Sequence, residues 1–146
     1  MCYLIKVDPP IVFSETAQPI KLPPKNTPNP EGKEANISGW GVESGHPLYP
    51  AILQTVNLTI IGNELCENIM KDTDLPLDSE KQICAHADMS DGIPRGICHG
   101  DSGGPLVTDG VQYGIVSYNY GDCGSVEYPD VFTRVAHYID WIEDKL

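Results

Sequence analysis

Glycine and proline punctuate this chain more closely than a helical protein allows. Fourteen glycines and thirteen prolines are spread through 146 residues. Proline inside a helix removes a hydrogen bond and clashes with the preceding turn, while glycine costs backbone entropy. A chain cut this often is limited to short segments joined by turns, and its length suits one domain with a real core. Between the breaks the residues favour strands. Residues 35–40 and 51–61 read so, the second carrying β-branched Thr55, Val56, Thr59, Ile60 and Ile61. Residues 82–85, 105–107, 111–118 and 131–135 are further strand candidates. Residues 3–7 form a short apolar run of the same type, ended by Asp8-Pro9-Pro10. Residues 18–33, with Pro23, Pro24, Pro28 and Pro30, read as an extended connector. A short helix is expected around Cys66, over 62–70. At the end, Val135, Ile139, Ile142 and Leu146 recur at near-helical spacing and predict an amphipathic terminal helix. The pattern is all-β, a barrel or sandwich closed by one helix.

Charge removes several classes of function. Twenty-one acidic against nine basic residues give a net charge of −12. Nucleic acid and anionic membranes both require a basic footprint, so neither is expected as a partner. No apolar run reaches the roughly 18 to 20 residues that span a bilayer. Residues 1–13 carry no basic leader region, and Lys6, Asp8 and two prolines interrupt them, so they do not read as a signal peptide.

The five cysteines are Cys2, Cys66, Cys84, Cys98 and Cys123, with no CxxC pair among them. That disfavours a structural zinc site, and neither metal nor cofactor is expected. The wide spacings suit two disulfides and one leftover thiol. Each closed loop would stabilise the fold by about 3 kcal/mol in the chain-entropy model. Two triplets, Asn36-Ile37-Ser38 and Asn57-Leu58-Thr59, fit the glycan-acceptor pattern of secreted proteins.

Residues 98–105 read CHGDSGGP. Glycines around Ser102 let the backbone turn sharply and let a substrate carbonyl approach closely. The amides of Gly100 and Ser102 could then stabilise a developing oxyanion, usually the largest contribution in acyl transfer. A serine hydroxyl still needs a base to take its proton.

This loop resembles that of the chymotrypsin-like serine proteases, and the likeness runs along most of the chain. Ser38-Gly39-Trp40-Gly41 is similar to the family's SGWG, and Ala51-Ile52-Leu53-Gln54 to its LQ segment. Gly114-Ile115-Val116-Ser117-Tyr118 resembles GIVSW, and residues 129–135 resemble PGVYTRV. The resemblance implies a double-barrel fold of which this chain carries the second, six-stranded β-barrel and the C-terminal helix. Residues 1–34 would be the last strand of the first barrel plus the connector, and 35–146 the second barrel. It implies disulfides Cys66–Cys84 and Cys98–Cys123. It places a further family bridge on Ala35 and Thr108, which are not cysteines, and leaves Cys2 as a buried free thiol.

The resemblance also assigns roles. Ser102 is the nucleophile, Gly100 part of the oxyanion hole, and Asp101 the position that pairs with a newly cut N-terminal amine. Gly96 falls at the floor of the primary substrate pocket and Asp130 on its facing wall. Ser117, Tyr118 and Asn119 border the pocket, Asn119 narrowing its entrance, and His99 lies on the cleft rim. The family aspartate falls on Met1, and the family histidine falls upstream of it. None of His46, His86, His99 and His137 is placed to replace that histidine. The chain therefore reads as an incomplete copy of a secreted serine endopeptidase, inactive alone, whose first barrel would be supplied in cis or in trans. A non-catalytic pseudo-protease or binding protein on the same half-fold is the alternative. Polypeptide substrates and protein protease inhibitors are the implied partners. Cleavage is expected to be broad or weakly trypsin-like, through Asp130.

Overall fold

The structure, a computed structural model, describes residues 3–43, 48–87 and 91–146. Met1, Cys2 and His46 lie outside the described residues.

Six antiparallel strands close into a barrel. They are β1 (Glu34–Gly39), β2 (Gln54–Ile61), β3 (Gln82–His86), β4 (Pro105–Thr108), β5 (Val111–Tyr118) and β6 (Asp130–Arg134). Their order around the ring is β1-β2-β3-β6-β5-β4. Alternation sets the faces: Ala35 and Ile37 of β1 and Leu58 and Ile60 of β2 point inward, while Glu34, Asn36, Asn57 and Thr59 stay exposed. Ile83, Leu106, Val116 and Phe132 complete the core. Gly114 makes room for the largest of them. A Cβ there would stand 2.9 Å from the Cβ of Phe132 and 3.1 Å from that of Leu106.

The β1–β4 register, continued by one residue, sets Ala35 opposite Thr108. Both are buried, and the Thr108 hydroxyl donates to the Glu34 carbonyl at 2.7 Å. A hydroxyl satisfied within the barrel thus occupies one of the two positions at which the resemblance places a bridge.

Helix α1 (Asn63–Met70) lies against the barrel through Cys66 and Met70, which pack with Cys84 and Val131 in a second cluster. The Cys66–Cys84 disulfide ties α1 to β3, with Cα atoms 6.3 Å apart, and Cys98–Cys123 brings its Cα atoms to 5.1 Å.

Two expectations need correction. Residues 3–7 form no strand: the ring is closed on itself and offers them no ladder, and Tyr3, Leu4, Ile5 and Val7 are exposed. The terminal helix is shorter and broken. A 3₁₀ turn (Val135–His137) is followed by Tyr138 at φ −103°, ψ 10°, and only then by α2 (Ile139–Glu143). That break ends the helical period, so Val135 and Ile139 are buried whereas Leu146 is 96% exposed.

The connector is strapped to the barrel. Gln112 N–H donates to the Lys21 carbonyl and Asn26 N–H to the Ala136 carbonyl, each at 2.9 Å, and Lys25 pairs with Asp140. Arg134 gathers the rest. Its guanidinium donates to Thr27 O at 2.6 Å, Asn29 Oδ1 at 2.9 Å and Glu80 O at 3.1 Å. Charge-assisted bonds of this kind each contribute about 1.5–3 kcal/mol where desolvated, less where water reaches them. Arg134→Ala is expected to cost about 2–3 kcal/mol in urea unfolding and to speed proteolysis within residues 21–33. An unchanged midpoint and cleavage rate would refute this account of the connector.

Candidate active site

Residues 98–104 are fixed by their own backbone bonds before any side chain enters. Asp101 N–H donates to Cys98 O at 3.1 Å, Gly104 N–H to Asp101 O at 2.9 Å, and Gly103 N–H to Val116 O at 3.0 Å. The Cys98–Cys123 disulfide anchors one end, and β4 begins just past the other. Gly100 and Gly103 adopt φ +100° and +86°, the left-handed region that side chains resist. A Cβ at Gly100 would also approach the Gly41 Cα to 3.1 Å. Only glycine allows the turn and this close approach together.

Ser102 is held exposed at the apex of this loop. Among the described residues its hydroxyl bonds to no group of the chain, and the amides of Gly100 and Ser102 donate to no acceptor. The serine lines a depression of about 370 Å³ together with Trp40, Leu53, Gly100 and Pro105.

Asp101 turns the other way. Its carboxylate accepts the Gly41 amide at 2.9 Å and the Cys98 amide at 3.0 Å. A methyl group at Gly39 or Gly41 would fall on that carboxylate. The resemblance implies an external amine for Asp101, whereas its partners in the fold include the Gly41 amide. The signal was present in Ser38-Gly39-Trp40-Gly41, whose two glycines are the ones the carboxylate needs absent of side chains.

A cavity of about 500 Å³ lies beside this carboxylate, lined by Gly41, Thr55, Arg95, Gly96 and Asp101 among others. Asp130 sits directly behind Gly96: a Cβ on Gly96 would stand 2.6 Å from Asp130 Oδ2. Asp130 is 5% exposed and accepts the Ile97 amide at 2.9 Å. Burial pushes its carboxyl up to about 7, against the Ile97 hydrogen bond, with the Asp101 charge adding to the rise. Gly96, Asp101 and Asp130 are therefore neighbours. Ser117, Tyr118, Asn119 and Ser102 do not line this cavity. Ser117 is exposed, Tyr118 packs with the Cys66–Cys84 cluster, and Asn119 Nδ2 donates to Gly121 O at 3.4 Å.

The described histidines are occupied elsewhere or exposed. His86 Nε2 lies 3.2 Å from the Ser125 carbonyl, and His137 meets Tyr138 edge-to-face with centroids 4.8 Å apart. His99 is exposed, and only its carbonyl is engaged, by Val42 N–H at 2.9 Å. None bonds to Ser102.

Comparison with known proteins places this geometry. The Trypsin family model matches residues 2–142. Chymotrypsin-2 of Vespa crabro is 39% identical over 140 residues, covering 96% of this chain and 59% of that protein. Human kallikrein-12 is 35% identical, covering 95% and 53%. Among solved structures, neuropsin, a serine protease of mouse brain, superposes with a TM-score of 0.78 at 31% identity, over 92% of this chain and 56% of that one. An inactivated protease paralogue of the scabies mite gives 0.75 at 27% identity, over 89% and 54%. The chain belongs to the trypsin family of serine proteases, and its barrel is a chymotrypsin-like one. It spans about half the length of the relatives it matches.

Proposed function

We propose that this chain is the nucleophile-bearing, substrate-binding half of a secreted serine endopeptidase. Residues 35–146 act as its second barrel, and 1–34 as the last strand of the first barrel with the connector. The observation that carries this reading is an exposed Ser102 beside two unengaged amides on a loop that only glycine can form.

Ser102 Oγ attacks a peptide carbonyl carbon while a base takes its proton, and the amides of Gly100 and Ser102 receive the oxyanion. The C–N bond breaks as the proton passes to the leaving amine. Water then releases the acyl group from Ser102 by the same route. The base comes from a complementary barrel in cis or in trans. Its carriage elsewhere is supported by the engagement of His86 and His137 and by the greater length of the relatives. Two disulfides suit an oxidising, extracellular setting. Protein inhibitors that present a peptide strand would compete for the same cleft. Asp130, behind Gly96, supports a weak preference for Lys or Arg side chains, strongest when its carboxyl is ionised.

A non-catalytic reading is favoured by one observation, the Asp101 carboxylate already satisfied by Gly41 and Cys98. The experiment that separates the two is fluorophosphonate labelling of the chain joined to a trypsin-family first barrel. Labelling that is abolished by Ser102→Ala supports the peptidase. No labelling of the folded, joined protein supports the binding role.

A further inference from the structure

The two acceptor-type asparagines meet across one strand pair. The β1–β2 register sets Asn36 directly opposite Asn57, both exposed on the outer face of the barrel. Their amides are not equivalent. Asn36 Nδ2 has both hydrogens engaged, one by Thr55 Oγ1 at 2.8 Å and one by Asn57 Oδ1 at 2.9 Å. Asn57 Nδ2 uses one hydrogen, toward Glu34 Oε1 at 3.0 Å, and its second points at no group of the chain. Thr59, the hydroxyl residue of the second triplet, is exposed, whereas Ser38 of the first is half-buried at the end of β1.

An N-linked sugar replaces one hydrogen of Nδ2 by its anomeric carbon. On Asn57 that hydrogen is the unengaged one, so the native contacts survive. On Asn36 the sugar would take the place now held by Thr55 or Asn57, so one of these two hydrogen bonds would be lost.

We infer that Asn57 is a glycan attachment site and that Asn36 is its unmodified cross-strand partner, so the folded chain carries one glycan on this face. In the transfer, the Asn57 Nδ2–C1 bond forms and the bond from C1 to a lipid diphosphate carrier breaks. The Nδ2 proton leaves to the transferase, and the diphosphate departs with the bonding pair. The glycan stands beside the cleft, because Thr55, two residues along β2 from Asn57 and exposed on the same face, lines the cavity near Gly96. The inference rests on the secretory reading, which the glycosidase sensitivity of the natural chain tests separately.

The full chain behind a cleavable leader, expressed in insect cells, removes that dependence by imposing the compartment. Intact mass before and after an amidase that cleaves N-glycans is read on the leader-cleaved, disulfide-bonded fraction. One glycan is expected on most chains, with occupancy at Asn57 exceeding that at Asn36 by about fivefold, the factor one lost hydrogen bond sets. Asn36→Gln and Ser38→Ala should keep the glycan, and Asn57→Gln and Thr59→Ala should remove it. Two independent variants on each triplet guard against loss through misfolding. Absence of a glycan from the disulfide-bonded chain, two glycans on most chains, or undiminished glycan occupancy in Asn57→Gln would overturn the inference.

Discussion

Asp130→Asn is expected to stabilise the protein above pH 7 and to remove a downward slope in stability between about pH 4 and 7. Burial raises the Asp130 carboxyl from 3.8 to about 7 in the folded chain. In that window the folded state holds a proton that the unfolded state has released, so stability falls as pH rises. Below the ordinary carboxylate value both states are protonated and the penalty vanishes. Above about 7 both are ionised and the penalty is complete. One pKa unit corresponds to about 1.4 kcal/mol, so the full effect is at most on the order of 4 kcal/mol. Asparagine can still accept the Ile97 amide through Oδ1, so the substitution removes the ionisation and keeps the hydrogen bond. Urea unfolding of both proteins at intervals from pH 4 to 8.5 gives the difference profile, in which other titrations cancel. Parallel curves would sink the assignment.

The second large effect concerns Ser102. The 146-residue chain alone is expected to leave a fluorophosphonate essentially unreacted, although its serine is exposed. Exposure supplies access, but nucleophilicity requires a base, and no described histidine bonds to this hydroxyl. Removing serine or histidine from an assembled triad costs on the order of 10⁶ in kcat. Supplying the complementary barrel should raise the labelling rate by at least on the order of 10⁴, since misalignment forfeits part of that factor. Rapid stoichiometric labelling of the unaccompanied chain would show that the base lies within it. The Asp101 carboxylate adds a second requirement, because Gly41 and Cys98 hold it now and an external amine would have to displace them.

Local pattern made most of the barrel readable. In β1 and β2 the inward set, Ala35, Ile37, Leu58 and Ile60, alternates with polar residues, and strand bounds move by only a residue or a few. Residues 3–7 carry the same apolar character and yet join no strand, because a ladder depends on a partner that no local composition encodes. Tyr138 likewise breaks a helical spacing that Val135, Ile139, Ile142 and Leu146 suggest is continuous. At the site, the glycines around Ser102 were legible since they answer a backbone demand within the loop itself. The partners of the two carboxylates were not. Gly41 reaches Asp101 only because β1 pairs with β4, and Asp130 comes to lie behind Gly96 only after β6 has paired with β3.

Closure of the ring has a consequence for how this chain associates. Every strand has two neighbours, so no row of backbone amides and carbonyls is presented for another chain to extend into a growing sheet. The apolar side chains of residues 3–13 lie outside that ring and have no regular backbone template to offer. In the chain alone, what they present to a partner is apolar side-chain surface. A barrel without edges can therefore remain a discrete particle while residues 3–13 stay open to contact.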